Sequence, residues 1–128
     1  MNITVEAADL DELDLVNNAV YLRYVETVAR AHADLLGIGG EVILAMSRAF
    51  VVRRHEIDYH LPARLGDVLT LRTRIEKFQG ARAVRVVQIE RDGEVLVVAR
   101  TEWTFIDLET LRPVRMPKEF QAHVTIEE

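Results

Sequence analysis

The chain has 128 residues, 49% of them hydrophobic and 29% charged, which suits one globular domain and excludes disordered and fibrous classes. It contains no cysteine, which excludes disulfides, thiolate metal sites and a cysteine nucleophile and fits a reducing compartment. A net charge of −5 argues against nonspecific nucleic-acid binding, and neither a signal-peptide pattern nor a bilayer-length apolar run is visible, so the expectation is a cytoplasmic protein with one domain over residues 1–128.

Ile3 to Ala7 reads as a short first strand. Asn17 and Asn18 are N-cap candidates. After them Tyr21, Tyr24, Val25, Val28, His32, Leu35 and Leu36 recur at helical spacing, and Gly37 supplies the left-handed stop. The spacing predicts one helix of about five turns, largely buried. The rest is strand-like. Arg48 to Tyr59 is rich in β-branched and aromatic residues, and residues 60–67 form a loop. Leu69, Leu71, Thr73 and Ile75 alternate with Thr70, Arg72, Arg74 and Glu76 at the period of a half-buried strand. A turn over residues 78–81 leads to a strand from Arg82 to Arg91. Asp92-Gly93 signals a hairpin into a last strand from Glu94 to Leu108, with Trp103 and Phe105 on one face. The tail after Pro113 reads as an appendage. A strand, a long helix and four hairpin-linked strands imply an α+β fold, an antiparallel sheet with the helix on one face. Residues 94–106 carry no evident edge protection, which favours a dimer or larger assembly.

Charge is unevenly spread. Residues 1–47 hold 2 basic and 8 acidic side chains, residues 48–91 hold 10 and 5, and residues 92–128 hold 4 and 8. The basic middle suits a phosphorylated ligand, against the plainer reading of arginines on solvent-facing strand positions.

Several chemistries are excluded by pattern. There is no G-x-S-x-G, no glycine-rich phosphate loop and no H-E-x-x-H. Asp9 and Asp11 stand two apart, but Leu13 and Asp14 fall where a calcium loop needs an oxygen ligand and a glycine. His55 and His60 have opposite strand parity, so no histidine metal site is expected. What remains is a carboxylate cluster, Asp9, Asp11, Glu12 and Asp14, immediately before an asparagine-capped helix start. The free N–H groups and positive dipole end of that helix favour a polarised carbonyl oxygen, while an upstream carboxylate attacks the carbon or activates a water. The plainer reading makes these carboxylates caps and dipole partners.

The stretch Asp9-Leu10-Asp11-Glu12-Leu13-Asp14-Leu15-Val16-Asn17-Asn18-Ala19-Val20-Tyr21, with Tyr24 and Glu26 after it, resembles the D-x-D-x-x-G-H-V-N-N-A-x-Y signature of acyl-CoA thioesterases of the 4-hydroxybenzoyl-CoA thioesterase type. It is also similar to the D-L-D-x-N-x-H-V-N-N stretch of plant acyl-ACP thioesterases. Tyr59-His60-Leu61-Pro62 with Gly66-Asp67 resembles the family's Y-x-x-P-x-x-x-G-D segment. The likeness spans roughly residues 2–117. It implies the hotdog fold, in which an antiparallel sheet wraps one long central helix. It also implies hydrolysis of an acyl-CoA thioester to acid and free coenzyme A. The catalytic carboxylate falls on Asp11, the carbonyl-polarising amide on or near Asn18, and Asn17 holds the loop or a water. No metal or separate cofactor is implied, since coenzyme A is part of the substrate. Homodimers are implied, with active sites between subunits and dimers that pair again into tetramers. Arg53, Arg54, Lys77 and Arg82 are candidates for the coenzyme A phosphates, and Tyr21 with the other aromatics is a candidate for the acyl pocket. Two departures stand out. Asp14 replaces the family glycine and sets a like charge beside Asp11, and Leu15 replaces the family histidine. They leave room for a second reading, a hotdog protein that binds acyl-CoA without hydrolysing it. A hotdog dehydratase would want a histidine where Leu15 stands.

Overall fold

The computed structural model describes residues 1–124. Five strands form one antiparallel sheet: β1 (Asn2–Thr4), β2 (Arg48–Tyr59), β3 (Val68–Gln79), β4 (Arg82–Arg91) and β5 (Glu94–Asp107). Their spatial order is β1-β3-β4-β5-β2. One long helix, α1 (Asn18–Leu35), lies on one face, and a shorter helix, α2 (Gly40–Ala45), precedes β2. The curled sheet around its helix is the hotdog arrangement expected from the sequence.

Alternation fixes which strand residues meet the helix. On β3 Leu69, Leu71 and Ile75 are buried, and on β5 Val97, Ala99, Thr101 and Phe105 are buried. One apolar cluster packs these strands against the first half of α1 through Val20, Tyr21, Tyr24, Val25 and Val28. A second forms at the far end of the sheet around Phe78, Phe105 and Phe120, with Trp103 packed on it. Trp103 and Phe105 therefore share a face, as their spacing implies.

Some expectations are corrected. The first strand stops at Thr4, because residues 7–9 turn into a 3-10 helix. Glu6 and Asp9 drive that turn, with Glu6 N–H donating to Asp9 Oδ2 at 3.0 Å. Phe78 and Gln79 belong to β3 and leave only Gly80-Ala81 as the turn, with Gly80 at φ 61°. The helix is not buried throughout: Ala29 is its last buried residue and Leu35 is 86% exposed. The tail is not an appendage, since the 3-10 helix Lys118–His123 inserts Phe120 into the second cluster, 5.7 Å from the Phe78 ring. Finally, β5 lies inside the sheet between β4 and β2, so residues 94–106 need no edge protection. The long unprotected edge is β2, where Val51, Val52 and Tyr59 are 40–46% exposed.

Candidate active site

The segment between β1 and α1 folds back on itself. Leu10 and Val16 form an antiparallel bridge, Asp11 N–H donates to Leu15 C=O at 2.8 Å, and Asp14 N–H donates to Asp11 C=O at 3.1 Å. The Asp11 carboxylate closes the loop from inside. Its Oδ1 accepts Leu13 N–H at 2.8 Å and Leu15 N–H at 3.4 Å. Oδ2 takes no hydrogen bond among the described residues, so one oxygen is pinned and the other is open. Asp14 adopts φ 59°, a left-handed conformation that glycine enters freely and aspartate tolerates better than most residues. The replacement of the family glycine thus keeps the backbone that a glycine would supply.

Asn17 is the N-cap. Its extended backbone (φ −62°, ψ 136°) turns the chain into the helix, and its Oδ1 accepts Ala19 N–H at 3.0 Å. Its own N–H donates to Asp9 C=O at 2.9 Å, which ties the helix start to the entry of the Asp11 loop. Val20 N–H is taken by Asn17 C=O at 2.9 Å. The Asn18 N–H, at the first helical position, is left without a partner among the described residues, so the helix end offers one free donor reinforced by the dipole.

Asp9 is a clamp, which corrects the reading of it as a solvating cap. Its side chain is 13% exposed and accepts from Glu6 N–H, from Tyr24 Oη at 2.9 Å and from Arg23 Nη2 at 3.2 Å. Burial first, then the hydrogen bond to Asp9, pushes the Tyr24 hydroxyl well above the ordinary phenol range. The loop over residues 60–67 supports the same region. Ala63 C=O accepts Val16 N–H at 3.0 Å, and Leu15 bridges Arg64. Asp67 accepts Arg64 N–H at 2.9 Å and Arg91 Nη1 at 2.8 Å. The Arg64 N–H, with the Arg91 guanidinium, holds the Asp67 carboxyl below its usual range against the opposing effect of burial. Gly66-Asp67 is therefore a brace for the wall of the site.

The candidate residues divide into two groups. Asn17 caps the helix and Asn18 opens it, while Asp11 stands in the loop just before them, opposite Leu15 and two ladder positions beyond the Asp9–Asn17 pair. Tyr21 lies beneath them as a core residue, 2% exposed, its hydroxyl accepting Ala63 N–H at 3.1 Å. Arg54, Lys77 and Arg82 do not join them within one chain. Lys77, Val84, Glu102 and Arg54 follow one another across the sheet on the face away from α1. Glu102 lies six residues along β5 from Leu96, whose carbonyl accepts His60 N–H near the site, a separation of about 20 Å. Arg54 pairs with Glu56 and Arg82 with Glu102. Arg53, the extra residue of a bulge in β2, and Lys77 form no ion pair among the described residues. Tyr59, one of the aromatics that the sequence offers for the acyl pocket, does reach the helix start. Its ring stands 5.5 Å from Tyr21 and its hydroxyl donates to Asn18 C=O at 3.3 Å, while 46% of the residue stays exposed. Its place at the head of Tyr59-x-x-Pro62 was the available signal.

Comparison with known proteins decides the family. The profile of the thioesterase-like superfamily matches residues 5–124. The chain belongs to this superfamily. It is 31% identical over 121 residues to the long-chain acyl-CoA thioesterase FadM of Escherichia coli, covering 93% of this chain and 91% of that protein. It is 29% identical over 121 residues to the acyl-CoA thioesterase YbgC of Haemophilus influenzae, covering 94% and 89%. The crystal structure of a probable thioesterase from Bartonella henselae superimposes with a TM-score of 0.83 at 31% identity, covering 91% and 97%. The expected class of enzyme, a thioester hydrolase, is borne out by this membership and these relatives. No helix among the described residues is long and apolar enough to cross a membrane.

Proposed function

We propose that this thioesterase-superfamily member hydrolyses an acyl-CoA thioester with Asp11 as nucleophile or general base and the helix start at Asn18 as oxyanion site. The observation that carries the reading is a carboxylate with Oδ1 pinned and Oδ2 open, one tight loop before a helix-terminal N–H that has no partner among the described residues. The thioester carbonyl oxygen accepts from Asn18 N–H, which draws charge off the carbon. Asp11 Oδ2 attacks that carbon, or removes a proton from a water that does. The tetrahedral intermediate collapses, the C–S bond breaks and the thiolate leaves to be protonated. On the nucleophilic route a water then cleaves the Asp11 anhydride and regenerates the carboxylate.

The site is shared between two copies of the chain. An antiparallel pairing of two β2 edges that engages the whole strand centres on Arg53 and Arg54, and it brings the Arg48 end of each copy against the Tyr59 end of the other. Arg53 and Lys77, which form no ion pair among the described residues, are assigned to the coenzyme A phosphates ahead of Arg54 and Arg82, which pair directly with Glu56 and Glu102. Two such dimers pair in turn into a tetramer.

Asp11→Asn tests the chemistry. It should lower turnover by about two to four orders of magnitude while leaving the unfolding midpoint near wild type. Single turnover in 18O-water separates the routes, because only a nucleophilic Asp11 leaves label in its own carboxylate. Full activity in Asp11→Asn would overturn the mechanism. Tight acyl-CoA binding by the wild type with no turnover of any thioester would instead establish the binding-only reading, which Leu15 in the family's histidine position favours.

A further inference from the structure

Between the two apolar clusters lies a polar belt that the proposed chemistry does not use. Arg85 on β4 is its centre. It is 7% exposed and points to the helix side of the sheet, where one nitrogen, Nη1, donates to His32 Nδ1 at 2.8 Å and to Thr73 Oγ1 at 2.9 Å. Its cross-strand neighbour Thr101 is 2% exposed and bonds His55 Nδ1 at 2.9 Å. No carboxylate of the described residues pairs with Arg85, and the acceptors it does use are neutral. His32 must be neutral, because a nitrogen that receives a guanidinium N–H cannot carry its own proton. His123, from the C-terminal 3-10 helix, adds a second basic group close enough to His32 to lower its proton affinity.

A guanidinium buried this far without an anion is costly, and buried charges are normally paired. The arrangement of its nitrogens indicates what is missing. Nε and Nη2 make no hydrogen bond with the described residues, yet no buried side-chain nitrogen or oxygen among them lacks a partner. Both atoms must therefore keep some accessible surface. The unused edge of the guanidinium is the one whose two parallel N–H groups match the two oxygens of a carboxylate. Ile75, 2% exposed, pairs with Arg85 across the sheet, and Val28 and Ala29 lie one helical turn before His32, so the surroundings of the fork are apolar. A planar anion with an apolar body fits that combination better than a fully hydrated one.

We propose that the open edge of Arg85, between α1 and the centre of the sheet, binds the carboxylate of a small organic acid. The site is separate from the Asp11 loop: His32 lies 14 residues along α1 from Asn18, about 21 Å of helix. The test uses the full-length protein and reads stability, so it does not depend on any turnover. Thermal unfolding is followed in sodium butyrate or benzoate, in sodium chloride and in sodium phosphate at matched ionic strength. The carboxylates should raise the midpoint saturably, by about 5 °C at ten times the half-saturating concentration, with chloride and phosphate falling well short. Arg85→Met, which fills similar space without charge, should abolish the rise. Should that variant fail to fold, the wild type still decides. The His32 ring resonances, identified by their loss in His32→Gln, should move saturably with butyrate while those of His60 stay still. An equal midpoint rise in phosphate, a rise retained in Arg85→Met, or a His32 signal indifferent to butyrate would each overturn the assignment.

Discussion

Removing the Asp9 carboxylate should unfold the entry to the active-site loop more than removing any exposed neighbour. In Asp9→Ala three acceptor contacts vanish. The hydrogen bond from Tyr24 Oη, buried and charge-assisted, is worth about 1.5–3 kcal/mol. The exposed Glu6 N–H contributes roughly 0.5–1 kcal/mol. The Arg23 pair adds well under 1 kcal/mol, since that arginine is 66% exposed and screened. Asp9→Ala should therefore lose about 3 kcal/mol, read as a lower urea midpoint at unchanged slope and fixed protein concentration. Glu12→Gln, on an exposed side chain, should stay within about 0.5 kcal/mol of wild type. Tyr24→Phe should lose about half as much as Asp9→Ala, and the double variant should reveal a coupling of about 1.5 kcal/mol. If Asp9→Ala matches Glu12→Gln, or shows no coupling to Tyr24→Phe, the clamp is wrong and Asp9 is a solvated cap after all.

Three further outcomes follow from particular residues. Asp14→Gly should stabilise the protein by up to about 1 kcal/mol, because its φ of 59° disfavours side chains, whereas Asp14→Val should destabilise it, both measured by urea unfolding. Stability should fall as pH drops below about 6.5: burial first, then Arg85 and His123, lower the His32 pKa in the folded state, so the neutral ring's contribution is complete above the unfolded value and is lost as pH falls towards the folded one. The groups facing that ring are Arg85 from β4 and His123 from the C-terminal 3-10 helix, both basic, and Thr73 joins through Arg85; His32→Gln should flatten the profile below about pH 6.5. Sedimentation should give a dimer or larger at micromolar concentration, and Val51→Lys on the exposed β2 edge should shift it towards the 14.6 kDa monomer.

The sheet and the long helix were legible because their signals are local. Arg48–Tyr59 and Arg82–Arg91 have the bounds that composition and turn residues set, and Asn17 caps the helix as its side chain predisposes it to. What escaped depends on distant partners. Nothing local in Lys118–His123 says that Phe120 closes a core against Phe78, 42 residues earlier. Nothing local in Asp9 distinguishes a carboxylate that meets Tyr24 from the exposed Glu12 and Asp14 beside it. The edge was misassigned for the same reason: alternation identifies a strand, but spatial order comes from pairing, and the chain carries its last strand into the sheet interior beside its second.

The two departures from the family signature show how geometry changes the weight of a substitution. In sequence, aspartate for glycine at position 14 reads as an added negative charge beside the catalytic carboxylate. In the structure it is first a backbone matter: the loop needs a left-handed residue there, so that Asp14 N–H can reach Asp11 C=O while the Leu13 and Leu15 N–H groups reach Asp11 Oδ1. Aspartate is among the few side chains that tolerate that conformation, so the loop closes without glycine. Leucine for histidine at position 15 acts differently. The N–H and C=O of Leu15 hold Asp11, and its bridge to Arg64 anchors the loop to the wall, none of which requires an imidazole. The framework that presents Asp11 is thus carried by main-chain groups that survive both replacements. The imidazole of the family signature is absent here, so under the proposed mechanism the proton moves by way of Asp11 or water. An activity that responds strongly to Asp11→Asn and hardly at all to Leu15→His would show that this division of labour is complete.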